Sequence, residues 1–189
     1  MQEDLITFDI EWLNLPKAEF KMLVMIADIG QNLGNASDMC RYFNRSPQNK
    51  NKNRLREALE KLAEQKIIDL EKQKNDYVVT LLKPILQENK VCLKRKYATE
   101  ILHHNYTQSV AWENVLKVYI WLLDNGNKEF TNSKIEAELN VSESTITEAK
   151  NVLQDFGAVI IKHLTTRTAE NVYRCYGQSA ELSAFWIIT

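Results

Sequence analysis

The same order of elements is written twice along this chain, and that repetition limits its possible folds more than any other feature. In the first half, "LPKAEFKMLVMIADIG" has the spacing of a helix. Pro16 suits its start, Phe20, Leu23, Val24 and Ala27 share a face, and Gly30 suits its stop. "NASDMCRYF" predicts a short second helix capped by Asn35 or Ser37, with Met39, Tyr42 and Phe43 as its apolar positions. "NRSPQNKNKNRLREALEKL" predicts a third, with Ser46 as cap and Pro47 in the first turn. Its buried stripe is Leu55, Ala58, Leu59, Leu62 and Ala63. "IIDLEKQKNDYVVTLL" then reads as two short strands about a polar turn from Gln73 to Asp76.

The second copy follows the same order. "SVAWENVLKVYIWLLDNG" is a long helix stopped near Gly126, and "FTNSKIEAEL" a short one capped by Thr131 or Asn132. "NVSESTITEAKNVLQDFG" is a third helix, capped by Ser142 and stopped at Gly157, and "AVIIKHLTTRTAENVYRCYG" is strand, polar turn, strand. At an offset of about 91 residues, Leu55, Ala58, Leu62 and Lys66 fall on Ile146, Ala149, Leu153 and Gly157. The turns before the third helices align only with a gap, because "NRSPQNKN" is longer than "NVS". The lead-ins "LITFDIEWL" and "VCLKRKYATEIL" are also alike, each strand-like or briefly helical. A repeat of this size predicts two domains of one type. They run over 1–83 and 91–189, joined by a linker at 84–90 in which Pro84 disfavours helix at the residue before it. The tail "SAELSAFWIIT" is apolar enough to need cover, either on the second domain and the domain junction or in a dimer contact.

Composition removes several alternatives. Only five glycines and three prolines in 189 residues disfavour phosphate-cradling Gly-rich loops and many-stranded sandwiches, which leaves a mainly α chain with small β-hairpins. Cys40, Cys92 and Cys175 are odd in number and widely spaced, with no CxxC, so neither a zinc site nor a disulfide framework is expected. No apolar run is long enough for a membrane span, and "MQEDLITFDI" lacks the features of a secretory signal. A cytoplasmic protein with reduced thiols, no metal and no cofactor is the expectation. Net charge is -1, so any surface that attracts a polyanion must be local.

Three helices and a hairpin, with a tight turn before the third helix, resemble the winged helix-turn-helix superfamily. "SKIEAELNVSESTITEAKNVLQDFGAVI" is similar to its usual core, and "SDMCRYFNRSPQNKNKNRLREALEKLAEQKIIDL" to a variant with a longer turn. The resemblance covers most of the chain apart from the linker and both ends. It implies two tandem winged helix-turn-helix domains. The tandem arrangement is similar to that of DNA-binding regulators and replication initiators of Gram-positive phages and plasmids. The chromosome segregation and condensation family also has tandem winged helices, but its usual opening motif is missing here.

In helix-turn-helix proteins the third helix enters the major groove with its N-terminal residues near base edges. With Leu55 at the centre of the buried face, Asn49, Lys50, Asn53, Arg56 and Glu57 point outward and Arg54 lies on a flank. Asn can pair two hydrogen bonds with adenine and Arg with guanine, so Asn49, Lys50, Asn53, Arg54 and Arg56 are the expected major-groove residues. Arg45 adds to the positive charge of this stretch, and Lys52, Lys72 and Lys74 are the expected phosphate contacts. The plainer alternative is a solvated polar face beside an ordinary hairpin turn. Lys94, Arg95 and Lys96 form another basic cluster, open to either a duplex contact or an edge-strand role.

In the second domain Ser144, Thr147 and Asn151, with Arg167 on the following turn, are the possible DNA contacts. Glu148 and Asp155 beside them would repel phosphates, so base reading, a protein partner and homodimerisation all stay open for this domain and its tail. Trp112, Tyr119 and Trp121 cannot share one helical face, so at least one should meet another domain, the tail or another chain. No HExxH, GxSxG, P-loop or paired-carboxylate pattern is present, and His103, His104 and His163 lack a nucleophile partner, so an enzyme is not expected. The expectation is sequence-specific double-stranded DNA binding, in transcription control or replication initiation on a mobile element. The alternative is a protein-interaction module, in chromosome organisation or as a phage inhibitor of a host protein.

Overall fold

The computed structural model describes residues 4–106, 110–125, 130–163 and 184–188, with the backbone alone at 160–163 and 184–188. The chain is a mixed α+β protein that divides into two units, Met1–His103 and His104–Thr189.

The first unit opens with strand β1 (Leu5–Asp9) and a 3-10 turn over Ile10–Asn14, then helix α1 (Lys17–Ile29). Pro16 precedes the helix and Gly30 ends it at φ 86°, as the spacing predicts. Phe20 and Met22 to Ile26 are all buried, so α1 is the central element of this unit rather than a one-sided surface helix. Helix α2 (Ala36–Tyr42) starts at Asn35, whose side chain accepts from the Ser37 and Asp38 amides while Asp38 reaches back in a capping box. Helix α3 (Asn49–Glu64) buries Ala58, Leu59 and Leu62 completely and Leu55 and Ala63 partly. At about 1.5–3 kcal/mol for each large apolar side chain, this stripe fixes which face of α3 turns outward.

Strands β3 (Ile68–Gln73) and β4 (Asp76–Leu81) form the expected hairpin. A short strand β2 (Asn32–Gly34), between α1 and α2, adds to it in the antiparallel order β2-β4-β3. The sequence does not announce β2, which is too short to show alternation.

The segment expected as a linker is built into this unit. Strand β5 (Lys90–Lys94) pairs antiparallel with β1, from Leu5 opposite Lys94 to Asp9 opposite Lys90. Helix α4 (Arg95–His103) follows and buries Tyr97, Ala98 and Ile101. The two lead-ins, expected to open separate domains, are partners in one sheet, and the division falls at 103/104 instead of within 84–90. Arg95 is consumed in this closure. It bonds Asp28 of α1 through side chain and carbonyl, and its Nε lies 2.8 Å from Asp4, while Tyr42 donates to Asp28 at 2.8 Å. Lys96 lies over the Tyr97 ring at 4.4 Å. Of the Lys94–Lys96 cluster, Arg95 is thus the hub of a network that closes the fold.

The second unit holds helices α5 (Trp112–Asn125), α6 (Asn132–Leu139) and α7 (Glu143–Asp155) and strands β6 (Val159–His163) and β7 (Ala184–Ile188). Val115 to Leu122 are buried on every side of α5. Tyr119 and Trp121 are both buried, and Trp121 meets Phe130 edge-on while its indole donates to Glu138 of α6 at 2.6 Å. That ring is satisfied inside its own unit. The tail strand β7 pairs with β6, from Val159 opposite Ile188 to His163 opposite Ala184. The second strand expected around Val172 to Tyr176 lies outside the described residues, as do Gly126 and Arg167.

Candidate nucleic-acid interface

The front of α3 breaks the usual rules for a helix start. Its cap position is Gln48, not Ser46, and no side chain caps it; the first turn contains no acid. Ser46 and Pro47 stay in the connection, where the Ser46 carbonyl accepts from the Asn51 amide group at 2.8 Å. By contrast α2 has a capping box, Thr131 accepts from Lys134 N–H at the start of α6, and α7 carries Glu143 in its first turn. Helix N-termini carry partial positive charge and normally recruit anions. Here Lys50 and Lys52 stand there instead, so the start of α3 concentrates positive charge.

Asn49, Lys50, Asn53 and Arg56 are exposed, in the orientation expected from the buried stripe. Arg56 donates to Asn53 at 3.3 Å, which aligns an amide and a guanidinium side by side on the outer face. Lys52 and Arg56 line a groove of about 250 Å³ with Lys72 and Asn75 of the hairpin and Ala36 and Ser37 at the start of α2. Strand β3 of the hairpin thus brings a third cation to the same groove as α3. Lys72 also sits 6.0 Å from the centre of the Tyr77 ring. Lys74 is exposed at the tip of the turn, in the left-handed region at φ 57°.

Arg54 goes elsewhere. With Arg45 it lines a cleft of about 440 Å³ on the opposite flank of α3, facing Lys17 and Lys21 of α1. Burial and then the neighbouring charges of Arg45, Lys17 and Arg54 push the Lys21 ammonium down to about 8. Burial and Arg45 lower Lys17 as well. The two α1 lysines are not among the sequence-derived candidates. Their spacing of one helical turn is the available signal, but it is equally that of an ordinary polar flank.

The corresponding face of the second unit has the opposite charge. Ser144, Thr147 and Asn151 are exposed on α7 and share a shallow hollow of about 690 Å³ with Glu143, Glu148 and Asp155. Asn132 holds this face from below, donating to Glu143 and Thr147 at 3.4 Å and accepting from the buried Lys150 ammonium at 2.9 Å. The Ser142 hydroxyl lies within 2.9 Å of the Thr145 hydroxyl and 3.2 Å of that of Ser144, and makes no cap bond to the backbone.

Among the described residues no group of three or more His, Cys, Asp or Glu side chains could hold a metal, and no helix is long and apolar enough to cross a membrane. No protein-family model matches the chain, and no curated protein is significantly similar to it.

Proposed function

We propose that the chain is a non-enzymatic, sequence-specific binder of double-stranded DNA built from two tandem winged helix-turn-helix domains, with the first unit as its main DNA-binding element. The observation that carries this reading is the shared groove of Lys52, Arg56 and Lys72, where the first half of α3 and strand β3 of the hairpin present cations together. On this reading Asn49, Lys50, Asn53 and Arg56 read base edges, and Lys52, Lys72 and Lys74 hold phosphates. The start of α3, with no side-chain cap and no acid in its first turn, supports it, because the positive end of the helix dipole there favours a phosphate. Transcription control or replication initiation on a mobile element is the context that the family resemblance suggests.

The test is fluorescence anisotropy with random duplex DNA at several salt concentrations, comparing the natural chain with the Lys50→Ala/Lys52→Ala/Arg56→Ala variant. The natural chain should bind with a steep salt dependence. The variant should bind more weakly, its slope shallower by about 0.9 for each phosphate that is no longer neutralised. No binding even near about 50 mM salt would overturn the reading.

A second reading has its own observation. The acidic hollow of Glu143, Glu148 and Asp155 suits a basic protein surface better than a duplex. It makes the second unit a docking module for another protein or a second copy of this chain, and it becomes the leading account if duplex binding fails.

A further inference from the structure

The cleft between α1 and α3 is separate from the groove assigned to DNA above, on the other flank of α3. Four cations from three segments converge on it: Lys17 and Lys21 from α1, Arg45 from the α2–α3 connection and Arg54 from α3. Two acids also line it. Glu19 is almost fully buried, with Lys61 3.8 Å away, and Glu57 is exposed at the rim. Counting Lys61, five cationic side chains face two carboxylates among the described lining residues, a net positive set. Its apolar lining includes Phe43, Leu55 and Ala58. A concave, partly buried positive surface of this kind favours charge-assisted hydrogen bonds to an oxyanion.

We propose that this cleft is a phosphate-binding site, in which Arg45 and Arg54 clamp the oxyanion and Lys17 and Lys21 face it from α1. Two sources carry that chemistry: a backbone phosphate of duplex DNA lying across α3, or a small phosphorylated molecule. The first rests on the DNA reading above and would extend its footprint onto α1. The second is independent of it. In either case Lys21 reports occupancy. Burial and the like charges of Arg45, Lys17 and Arg54 hold its proton loosely, and a bound phosphate would make that proton bind more firmly. Occupation should therefore be accompanied by proton uptake.

The experiment follows the titration of the Lys21 side chain by carbon-13 NMR in the full chain, alone, with sodium pyrophosphate and with a short random duplex. Arg45→Gln, in the exposed α2–α3 connection, is run beside it. Lys52→Ala/Lys72→Ala serves as the control on the other flank. A Lys21 midpoint that rises toward its ordinary value with pyrophosphate, with affinity falling about tenfold in Arg45→Gln and unchanged in the control, establishes the site for a small phosphorylated molecule. A rise with duplex alone, reduced by Arg45→Gln, assigns it to a backbone phosphate. If neither anion moves Lys21, the proposal is overturned. Duplex binding that persists in that case, and disappears in the Lys52/Lys72 variant, leaves the α3 reading standing. A pyrophosphate response without any duplex binding would support the cleft and remove the DNA reading.

Discussion

Lys66 and Gly157 end the third helix of their respective units in the same left-handed conformation, at φ 56° and 66°. The hydrogen bonds match too. Ile67 N–H donates to the Leu62 carbonyl at 3.0 Å, and Ala158 N–H to the Leu153 carbonyl at 2.9 Å. One connection earlier in each unit, Asn44 and Asn140 share a left-handed conformation after the second helix, at φ 53° and 51°. The repeat therefore extends to the backbone stops, and the insertion between them is confined to the approach to α3. Helix α3 runs 16 residues against 13 for α7. Its additional first turn is where Asn49 and Lys50 stand.

This equivalence gives a stability prediction. A β-carbon in the left-handed region is strained, whereas glycine is not. Lys66→Gly should raise stability by about 0.5–1 kcal/mol, and Gly157→Ala should lower it by about 1 kcal/mol. A β-carbon at Gly157 would meet nothing within 4 Å, so its cost is conformational and not steric. Chemical denaturation midpoints of the two variants check both signs.

The Asp28 network gives a second. Burial, then the Asp28 charge and hydrogen bond, push the Tyr42 hydroxyl well above the ordinary tyrosine value. Tyr42→Phe should cost about 1 kcal/mol, the usual net worth of such a bond. Asp28→Ala should cost more, about 2 kcal/mol, because it removes the carboxylate that both Tyr42 and Arg95 bond, although Arg95 keeps the Asp28 carbonyl and Asp4. Thermal melts of the two variants and the double variant would show whether the costs overlap, as a shared network requires.

Lys21 gives a third, in pH. Its folded value lies near 8, below the ordinary 10.5, so between those limits the unfolded chain binds more protons. Stability should therefore rise with pH through that window. The gain is complete only above the upper limit, and is lost as pH falls through the folded value. Replacing the ammonium in Lys21→Met should flatten that part of the profile. Urea midpoints measured from about pH 7 to about pH 10 test it, and an identical rise in the variant would assign the effect to another group.

Much of the first unit is legible in the sequence because its apolar periods are long. Leu55 to Leu62 set the buried face of α3, and Gln73 to Asp76 mark the hairpin turn. What escapes is non-local. Residues 90–94 look like an independent lead-in, and only the distant strand at 5–9 shows that they close the same unit. Helical periodicity puts Arg54 on a flank of α3, but it cannot say that Lys17 and Lys21 face it there. Nor can it foresee Phe130 and Glu138 beside Trp121, whose ring therefore looks, in sequence, as though it needs a partner from farther away.

The pairing of β1 with β5 also orders events in time. Thr7 and Cys92, whose side chains lie 3.6 Å apart, are separated by 85 residues. A ribosome delivers the first long before the second. Until then the edge of β1 has no partner, and Asp28 lacks Arg95. The helices and hairpin of the first unit can collapse early, through contacts local in sequence, but the seal arrives last. A nascent chain should therefore become protease-resistant at its amino end only after α4 has emerged.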